Sequence, residues 1–166
     1  MVETNDDVLR VVERMLDAEA SAWDSYNTRA MAVASLSALT ASLVIGLGEN
    51  ATFERTPITS LLFGLASLGL VSALVCSLVS LWPRQLKGQA DSRDDLLEMI
   101  VATRPDPPAE FKARYLDAAI DWVAQNSRAV AAKRTWTKRA YLSLVAGIGF
   151  LAIQGMIVSL QRAGVG

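Results

Sequence analysis

One run of residues limits what this chain can fold into more than any other. Residues 58–82 read ITSLLFGLASLGLVSALVCSLVSLW, which is 25 residues without a charged side chain. As a helix rising about 1.5 Å per residue, the run is longer than a bilayer's hydrocarbon core of about 30 Å. Two further uncharged runs occupy residues 30–48 and 140–161. We therefore predict an all-α membrane protein whose three transmembrane helices lie at 30–48, 58–82 and 140–161.

Composition narrows the possible functions. The 166-residue chain has a formal net charge of −1 and no histidine, which argues against nucleic acid as a partner and removes the commonest general base and metal ligand. The single cysteine, Cys76, lies inside the second apolar run, so neither a disulfide nor a cysteine metal site is expected. The sequence contains no GxxxxGK[ST] phosphate loop and no carboxylate pair within a span. We predict no catalytic residue, no metal, no cofactor and no enzyme activity.

The first 29 residues are polar and acidic, and their pattern is that of an amphipathic helix. No cleavable signal peptide is expected, and the first span would itself anchor the chain. One face of the predicted helix carries Val8, Val11, Met15, Ala18, Ala22 and Tyr26, and Val12, Leu16 and Trp23 widen it. Neither glycine nor proline occurs before Gly46. One continuous helix of about forty residues is therefore predicted, with its second half in the membrane.

A second long helix is predicted after the proline-rich break at 104–108. Residues 109–160 contain no proline, and the polar half of this stretch shows two apolar stripes. The first stripe consists of Leu116, Ile120, Val123 and Val130, and the second of Phe111, Tyr115, Ala119 and Trp122. A short helix is predicted at 94–103. The remaining segments are an external loop at 49–57, a cytoplasmic helical segment at 83–139 and an external tail at 162–166.

The distribution of lysine and arginine predicts the orientation in the membrane. Seven of these residues flank the spans on one side and two on the other, and the side richer in lysine and arginine faces the cytoplasm. The seven are Arg29, Arg84, Lys87, Lys133, Arg134, Lys138 and Arg139, and the two are Arg55 and Arg162. We therefore expect a multi-pass protein of the bacterial inner membrane with a cytoplasmic N-terminus.

Small residues within the spans predict close helix packing. Ala30, Ala34, Ala38, Ser42 and Gly46 recur at every fourth position, and Gly64 and Gly69 are candidates in the second span. A tight hairpin of the first two spans is expected. Gln154, the strongly polar residue of the third span, has two interpretations: a hydrogen bond to Thr40, Ser42 or Ser72 on a neighbouring helix, or the polar lining of a pore formed by several copies.

A basic cluster before the third span has three interpretations. Arg128, Lys133, Arg134, Lys138 and Arg139 can determine topology and contact anionic lipid, bind a phosphate-bearing ligand, or pair with the acidic N-terminal helix. Trp122, Trp136 or Tyr26 could stack on the base of a nucleotide. The predicted ligand-binding set is Arg128, Lys133, Arg134, Trp136 and Lys138. Opposite charge balances of residues 1–29 and 83–139 favour pairing of the two segments, within one copy or across an oligomer. The large apolar surface of so small a bundle predicts a homo-oligomer.

The chain resembles the Pycsar transmembrane effectors and the related SLATT-type membrane modules of bacterial antiviral defence. The resemblance rests on the layout of spans and on three motifs, Asn27-Thr28-Arg29-Ala30, Trp82-Pro83-Arg84 and NSRAVAAKRTWTKRA at 126–140. The first motif of that family more often reads Asp-x-Lys-Ala, so Asn27 and Arg29 keep its polarity and charge but not its identity.

The resemblance implies a non-enzymatic inner-membrane effector of abortive infection. A cyclic pyrimidine nucleotide would bind, the subunits would assemble, and the membrane would lose integrity. No cyclic-nucleotide-binding β-roll is recognisable, so such a ligand would have to bind between helices. The alternative is a membrane anchor or accessory subunit whose cytoplasmic helices dock a soluble partner protein. A lytic pore former is disfavoured, because nearly half of the chain is predicted to be soluble helix.

Overall fold

Three α-helices make up the part of the chain that the structure describes. The computed structural model covers residues 2–50, 56–82, 86 and 108–164, and leaves aside the side chains of 2–6, 46–50, 108–109 and 111–112. The helices are α1 (Val2–Asn50), α2 (Pro57–Leu81) and α3 (Pro108–Arg162). The all-α prediction is confirmed for these ranges. The predicted short helix at 94–103, the connecting residues 51–55 and 83–85, and the tail beyond 164 lie outside the described residues.

The two predicted long helices are present. Helix α1 has 49 residues and α3 has 55, and neither is interrupted over its described length. The absence of proline inside these stretches accounts for this, because an internal proline removes a backbone donor and collides with the preceding turn. Helix α3 ends at Arg162, and Gly164 after it has φ +74°, a conformation that glycine adopts without steric cost.

Helix α2 begins where its sequence predicts. The Thr56 side chain accepts a hydrogen bond from the backbone N–H of Thr59 at 3.3 Å, and Pro57 occupies the first turn. This arrangement satisfies one free backbone donor, and the proline lies where no donor is needed. The helix ends at Leu81, one residue before the predicted end of the span.

All three helices can cross a membrane by length and composition. In the described part, the candidate stretches lie in Asp7–Ile45, Pro57–Leu81 and Ala113–Arg162. The first and third are about twice as long as the roughly 20 residues that a crossing needs, so only part of each lies in the bilayer. Many large apolar side chains of the predicted spans are exposed, including Leu39, Leu61, Leu68 and Leu142. Lipid is the environment in which such a surface is stable.

The chain divides into two compact units. Unit 1 contains Met1–Ser25 and Pro83–Lys133, and unit 2 contains Tyr26–Trp82 and Arg134–Gly166. In unit 2 the three helices pack together around Val33, Leu70, Ala73, Ala140 and Leu144. In unit 1 the buried apolar side chains among the described residues are Val12, Leu86 and Ala119.

The buried residues of unit 2 recur at a seven-residue interval. On α2 they are Thr59, Ala66, Ala73 and Ser80. Two further buried residues, Leu70 and Ser77, follow Ala66 and Ala73 by four positions. On α3, Ala140 and Gly147 are buried, and so are Thr137 and Leu144. A burial period of 3.5 residues is typical of helices that pack nearly parallel or antiparallel with a left-handed twist. The contact positions are mostly Ala, Ser, Thr and Gly, which allows the backbones to approach closely.

Candidate functional site

A buried lysine lies in unit 1. Lys133 is 4% exposed, and its Nζ lies 3.6 Å from the centroid of the Trp23 ring. The seven-residue spacing of Ala119, Asn126 and Lys133 places these residues on one side of α3, and all three are buried. The indole face carries partial negative charge, so the ammonium group is stabilised there even though it is removed from bulk water. The unbranched stem of lysine contributes apolar contact area as well.

The predicted ligand-binding residues differ in their surroundings. In unit 1, Lys133 is buried and Arg128 is exposed. In unit 2, Arg134 and Lys138 are exposed, and Trp136 is half-buried with the Arg139 guanidinium 4.9 Å from its ring centroid. Their role in ligand binding stays a prediction. Sequence reasoning placed Lys133 in the basic cluster before the third span and did not predict its burial or its contact with Trp23. The seven-residue spacing with Ala119 and Asn126 was the signal available for its burial.

An acidic side chain of unit 1 is incompletely satisfied. The Oε2 atom of Glu19 is buried, and it has no hydrogen-bond partner in the described part of the chain. Glu19 precedes the first apolar run by 11 residues and therefore lies outside that span. Burial raises the pKa of the Glu19 carboxyl above its usual range, because an apolar environment disfavours the charged form.

A second ionisable group of unit 1, the Tyr115 hydroxyl, belongs to an aromatic pair on α3. The rings of Tyr115 and Trp122 meet edge to face, with centroids 6.1 Å apart, which is a favoured geometry for aromatic pairs. Burial and, secondarily, the negative charge of Glu13 raise the pKa of the Tyr115 hydroxyl. These half-buried rings and Ala119 belong to the second of the predicted stripes. Ile120, from the first stripe, is 48% exposed.

In unit 2, α2 and α3 approach each other closely at two glycines. A Cβ atom added to Gly69 would lie 2.9 Å from the Gly147 Cα, and one added to Gly147 would lie 3.2 Å from the Ala66 carbonyl oxygen. Two hydroxyl pairs cross the same contact, Ser72–Ser143 at 3.3 Å and Ser80–Thr137 at 2.8 Å. Residue numbers rise on α2 as they fall on α3, so the two helices run antiparallel. We call the two glycines and the four hydroxyl residues, Gly69, Gly147, Ser72, Ser143, Ser80 and Thr137, the α2–α3 seam.

The other predicted packing residues are distributed over several surfaces. On α1 the buried residues of unit 2 are Ala30, Val33 and Ser37, whereas Ala34 is half-buried and Ala38 and Ser42 are exposed. The burial of Gly46 is not among the described features of the structure. Nothing lies within 4 Å of a Cβ built on Gly64. Thus a strip that repeats every fourth residue begins at the contact and turns away from it, because a helix needs 3.6 residues per turn.

Gln154 is half-buried in unit 2. The three hydroxyls that were its predicted partners are each close to another oxygen. Thr40 donates to the Leu36 carbonyl at 2.7 Å, Ser42 donates to the Ala38 carbonyl at 3.0 Å, and Ser72 pairs with Ser143. Both interpretations of Gln154 stay predictions.

Comparison with known proteins places this chain in a family. Residues 11–160 match PycTM, the Pycsar effector protein domain. No curated protein matches the chain, and no solved structure does. The match covers nine-tenths of the sequence and includes all three predicted spans, so the resemblance seen in the span layout is confirmed. The chain belongs to the PycTM family of Pycsar effector domains, which are membrane effectors of antiviral defence that acts through cyclic nucleotides.

Proposed function

We propose that this protein is a non-enzymatic effector of the bacterial inner membrane that assembles into oligomers and impairs membrane integrity when a cyclic pyrimidine nucleotide is present. The family match over residues 11–160 carries this proposal, because it extends over both units and all three candidate spans. The orientation proposed from the flanking lysines and arginines has the N-terminus in the cytoplasm, where a nucleotide signal would be made.

The α2–α3 seam supports a change of helix partners in the membrane. Its contacts are hydroxyl pairs and glycines, and they lie beside the buried leucines Leu70 and Leu144. A serine in a helix can instead donate to the carbonyl four residues earlier, as Ser37 and Ser77 do at 2.8 Å. Separation of the seam therefore leaves few unsatisfied hydroxyls, and a transmembrane hydroxyl pair is worth only about 0.6 kcal/mol on average. Seam hydroxyls turned toward a space shared by several copies would offer water a polar path.

Leakage from reconstituted vesicles tests this function. The purified full-length protein is placed in vesicles that contain a self-quenching dye, and cyclic UMP or cyclic CMP is added. We expect dye release with one of these nucleotides and none with the corresponding linear monophosphate or with empty vesicles. Intact vesicles under both cyclic pyrimidine nucleotides, with the protein shown to be inserted, would contradict the signalling mechanism.

One observation favours a second candidate function, that of an anchor for a soluble protein. Val8, Val11 and Met15 in α1, and Ile120 in α3, are exposed in unit 1, outside the predicted spans. A soluble partner docked on these helices would cover them. Recovery of one stoichiometric partner protein from cells, without toxicity when the effector is overproduced, would support this function over permeabilisation.

A further inference from the structure

The apolar face predicted for the N-terminal part of α1 is mostly exposed among the residues that the structure describes. Val8 is 41%, Val11 53% and Met15 51% exposed, Ala18 is exposed, and Ala22 is half-buried. The residues that α1 turns inward in unit 1 are instead the neighbouring ones, buried Val12 and half-buried Leu16 and Trp23. We call Val8, Val11, Met15, Ala18 and Ala22 the α1 stripe.

The spacing of the α1 stripe is that of a coiled-coil contact. The intervals between successive members are three, four, three and four residues, which keeps all five on one line along the helix. Such a line is the core of a contact between two helices. Here α1 is one of the two helices, and the second remains to be identified. A single exposed apolar residue would need no explanation, but four exposed residues in this register, continued by half-buried Ala22, present a continuous surface.

Charged residues beside the α1 stripe identify what can cover it. In a parallel coiled coil, the residue just before one core position lies beside the residue five further along on the other helix. Arg14 precedes Met15, and Glu19 is five residues after Arg14. Arg14 is exposed and Glu19 is half-buried. One Glu19 carboxylate oxygen, Oε2, is buried without a hydrogen-bond partner in the described residues, so the carboxylate would gain a partner by turning outward toward a second copy. A second copy of α1 running in the same direction would therefore place a guanidinium group next to each Glu19.

We propose that the α1 stripe is the interface through which copies of this protein associate, with parallel α1 helices and with Arg14 of each copy facing Glu19 of the next. Two copies inserted in one membrane with one orientation have parallel α1 helices, as the charge pattern requires. The same pairing closes a dimer or repeats around a ring. The inference rests on the proposed function only in that an effector of this kind oligomerises, and it names the surface that does so.

Cysteine crosslinking of the full-length protein tests the register. In a background in which Cys76, the only cysteine, is replaced by alanine, Met15→Cys places a thiol on the stripe, and Asp17→Cys places one on an exposed side away from it. Core positions of a parallel coiled coil face each other at a Cα separation that a disulfide can bridge, roughly 4.4–6.8 Å. We expect mild oxidation in membranes to give a covalent dimer with Met15→Cys and little with Asp17→Cys. Equal yields for the two variants, or no dimer with either, would overturn the proposal.

A charge reversal tests the pairing itself. Arg14→Glu in the Met15→Cys background places two acids opposite each other. We expect crosslinking to fall roughly two- to fivefold at low salt, the range for loss of a partly exposed ion pair, and the difference to shrink at high salt. Arg10→Glu makes the same change of charge on another side of α1 and should leave the yield unchanged. An equal effect of both reversals would overturn the Arg14–Glu19 pairing.

These outcomes separate the interface from the function. Dye release without Met15→Cys crosslinking leaves the permeabilising function in place and refutes the α1 interface. Crosslinking without dye release under any cyclic pyrimidine nucleotide supports the interface and refutes the signalling function. A soluble partner that prevents Met15→Cys crosslinking in cells would show that the stripe belongs to another protein.

Discussion

At the scale of single residues, the contact of Lys133 with Trp23 shows how unit 1 accommodates a buried charge. The ammonium group lies over the indole ring, and the residue takes part in a further interaction as well. An ion removed from water is costly when one partner is missing, whereas an apolar side chain of the same shape in its place is often neutral. The two members of this pair should therefore respond differently to substitution.

Removal of Trp23 should be more harmful than removal of the charge. Trp23→Leu leaves Lys133 buried without its aromatic face, and we expect a loss of about 2 kcal/mol or more in the free energy of unfolding. Lys133→Met keeps the stem and removes the buried charge, so its loss should be smaller than that of Trp23→Leu even though a further interaction of Lys133 is lost with it. Circular dichroism during thermal unfolding in detergent measures both, with Arg134→Met as the exposed control. A Lys133→Met variant as unstable as Trp23→Leu would contradict this account.

At the scale of elements, the α2–α3 seam depends on how closely two backbones approach. The contact distances at Gly69 and Gly147 leave no room for a methyl group on Gly69 without movement of the Gly147 backbone. The helices hold this distance through small residues and hydroxyl pairs along an antiparallel line. The two kinds of contact can be tested separately, because α2 and α3 also contain glycines and serines outside the seam.

Glycine substitutions should separate contact from helix propensity. Gly69→Ala should destabilise the helix packing by about 1–3 kcal/mol, since a backbone cannot yield as a flexible side chain does. Gly64→Ala and Gly149→Ala introduce the same methyl group where nothing lies within 4 Å, and should be neutral or slightly stabilising because alanine favours helix. Unfolding in increasing denaturing detergent measures the three variants. Similar losses at Gly69 and Gly64 would refute the close approach.

The Ser80–Thr137 pair should show energetic coupling across the seam. A double-mutant cycle of Ser80→Ala and Thr137→Val should give a coupling energy of about 0.6 kcal/mol, with an upper limit of about 1.7 kcal/mol. Ser77 is also buried, but it donates to the Ala73 carbonyl of its own helix. A cycle of Ser77→Ala with Thr137→Val should therefore give no coupling, and coupling of the same size there would argue against a specific hydroxyl pair.

At the scale of the whole molecule, three candidate spans make the orientation in the membrane decisive for function. An odd number of crossings places the two ends of the chain on opposite sides. The lysines and arginines that flank the spans at positions 29, 84–87 and 133–139 predict that the N-terminus faces the cytoplasm. A nucleotide made in the cytoplasm could then reach the residues before the first span and those between the second and third.

Labelling of introduced cysteines tests this orientation. In the Cys76→Ala background, we expect a membrane-impermeant maleimide to label Ala51→Cys in spheroplasts with an intact inner membrane. Ser25→Cys should be labelled only after the membrane is permeabilised. A permeant maleimide that labels both variants equally is the control for accessibility. The reverse pattern would invert the topology and would remove the predicted ligand-binding cations from the cytoplasm.

More of the fold than of the candidate site could be predicted from the sequence. Charge-free runs of about 20 residues or more and the absence of proline determine helices and spans, because these are properties of the chain itself. Which face of a helix packs against the rest of the protein is not such a property of the local sequence, as the N-terminal part of α1 shows. Val8, Val11, Val12, Met15 and Leu16 are all apolar, and periodicity groups them on one broad face without indicating which of them the rest of the chain covers.

What the sequence by itself determined is the all-α membrane class, the two long helices and the family. Only the tertiary structure decided that Lys133 is buried against Trp23, that Gly69 meets Gly147, and that the α1 stripe is left exposed. The physical reason is that backbone hydrogen bonding and transfer into lipid depend on local composition. The burial of a particular side chain depends on which other helix lies against it, and that partner comes from a distant part of the chain.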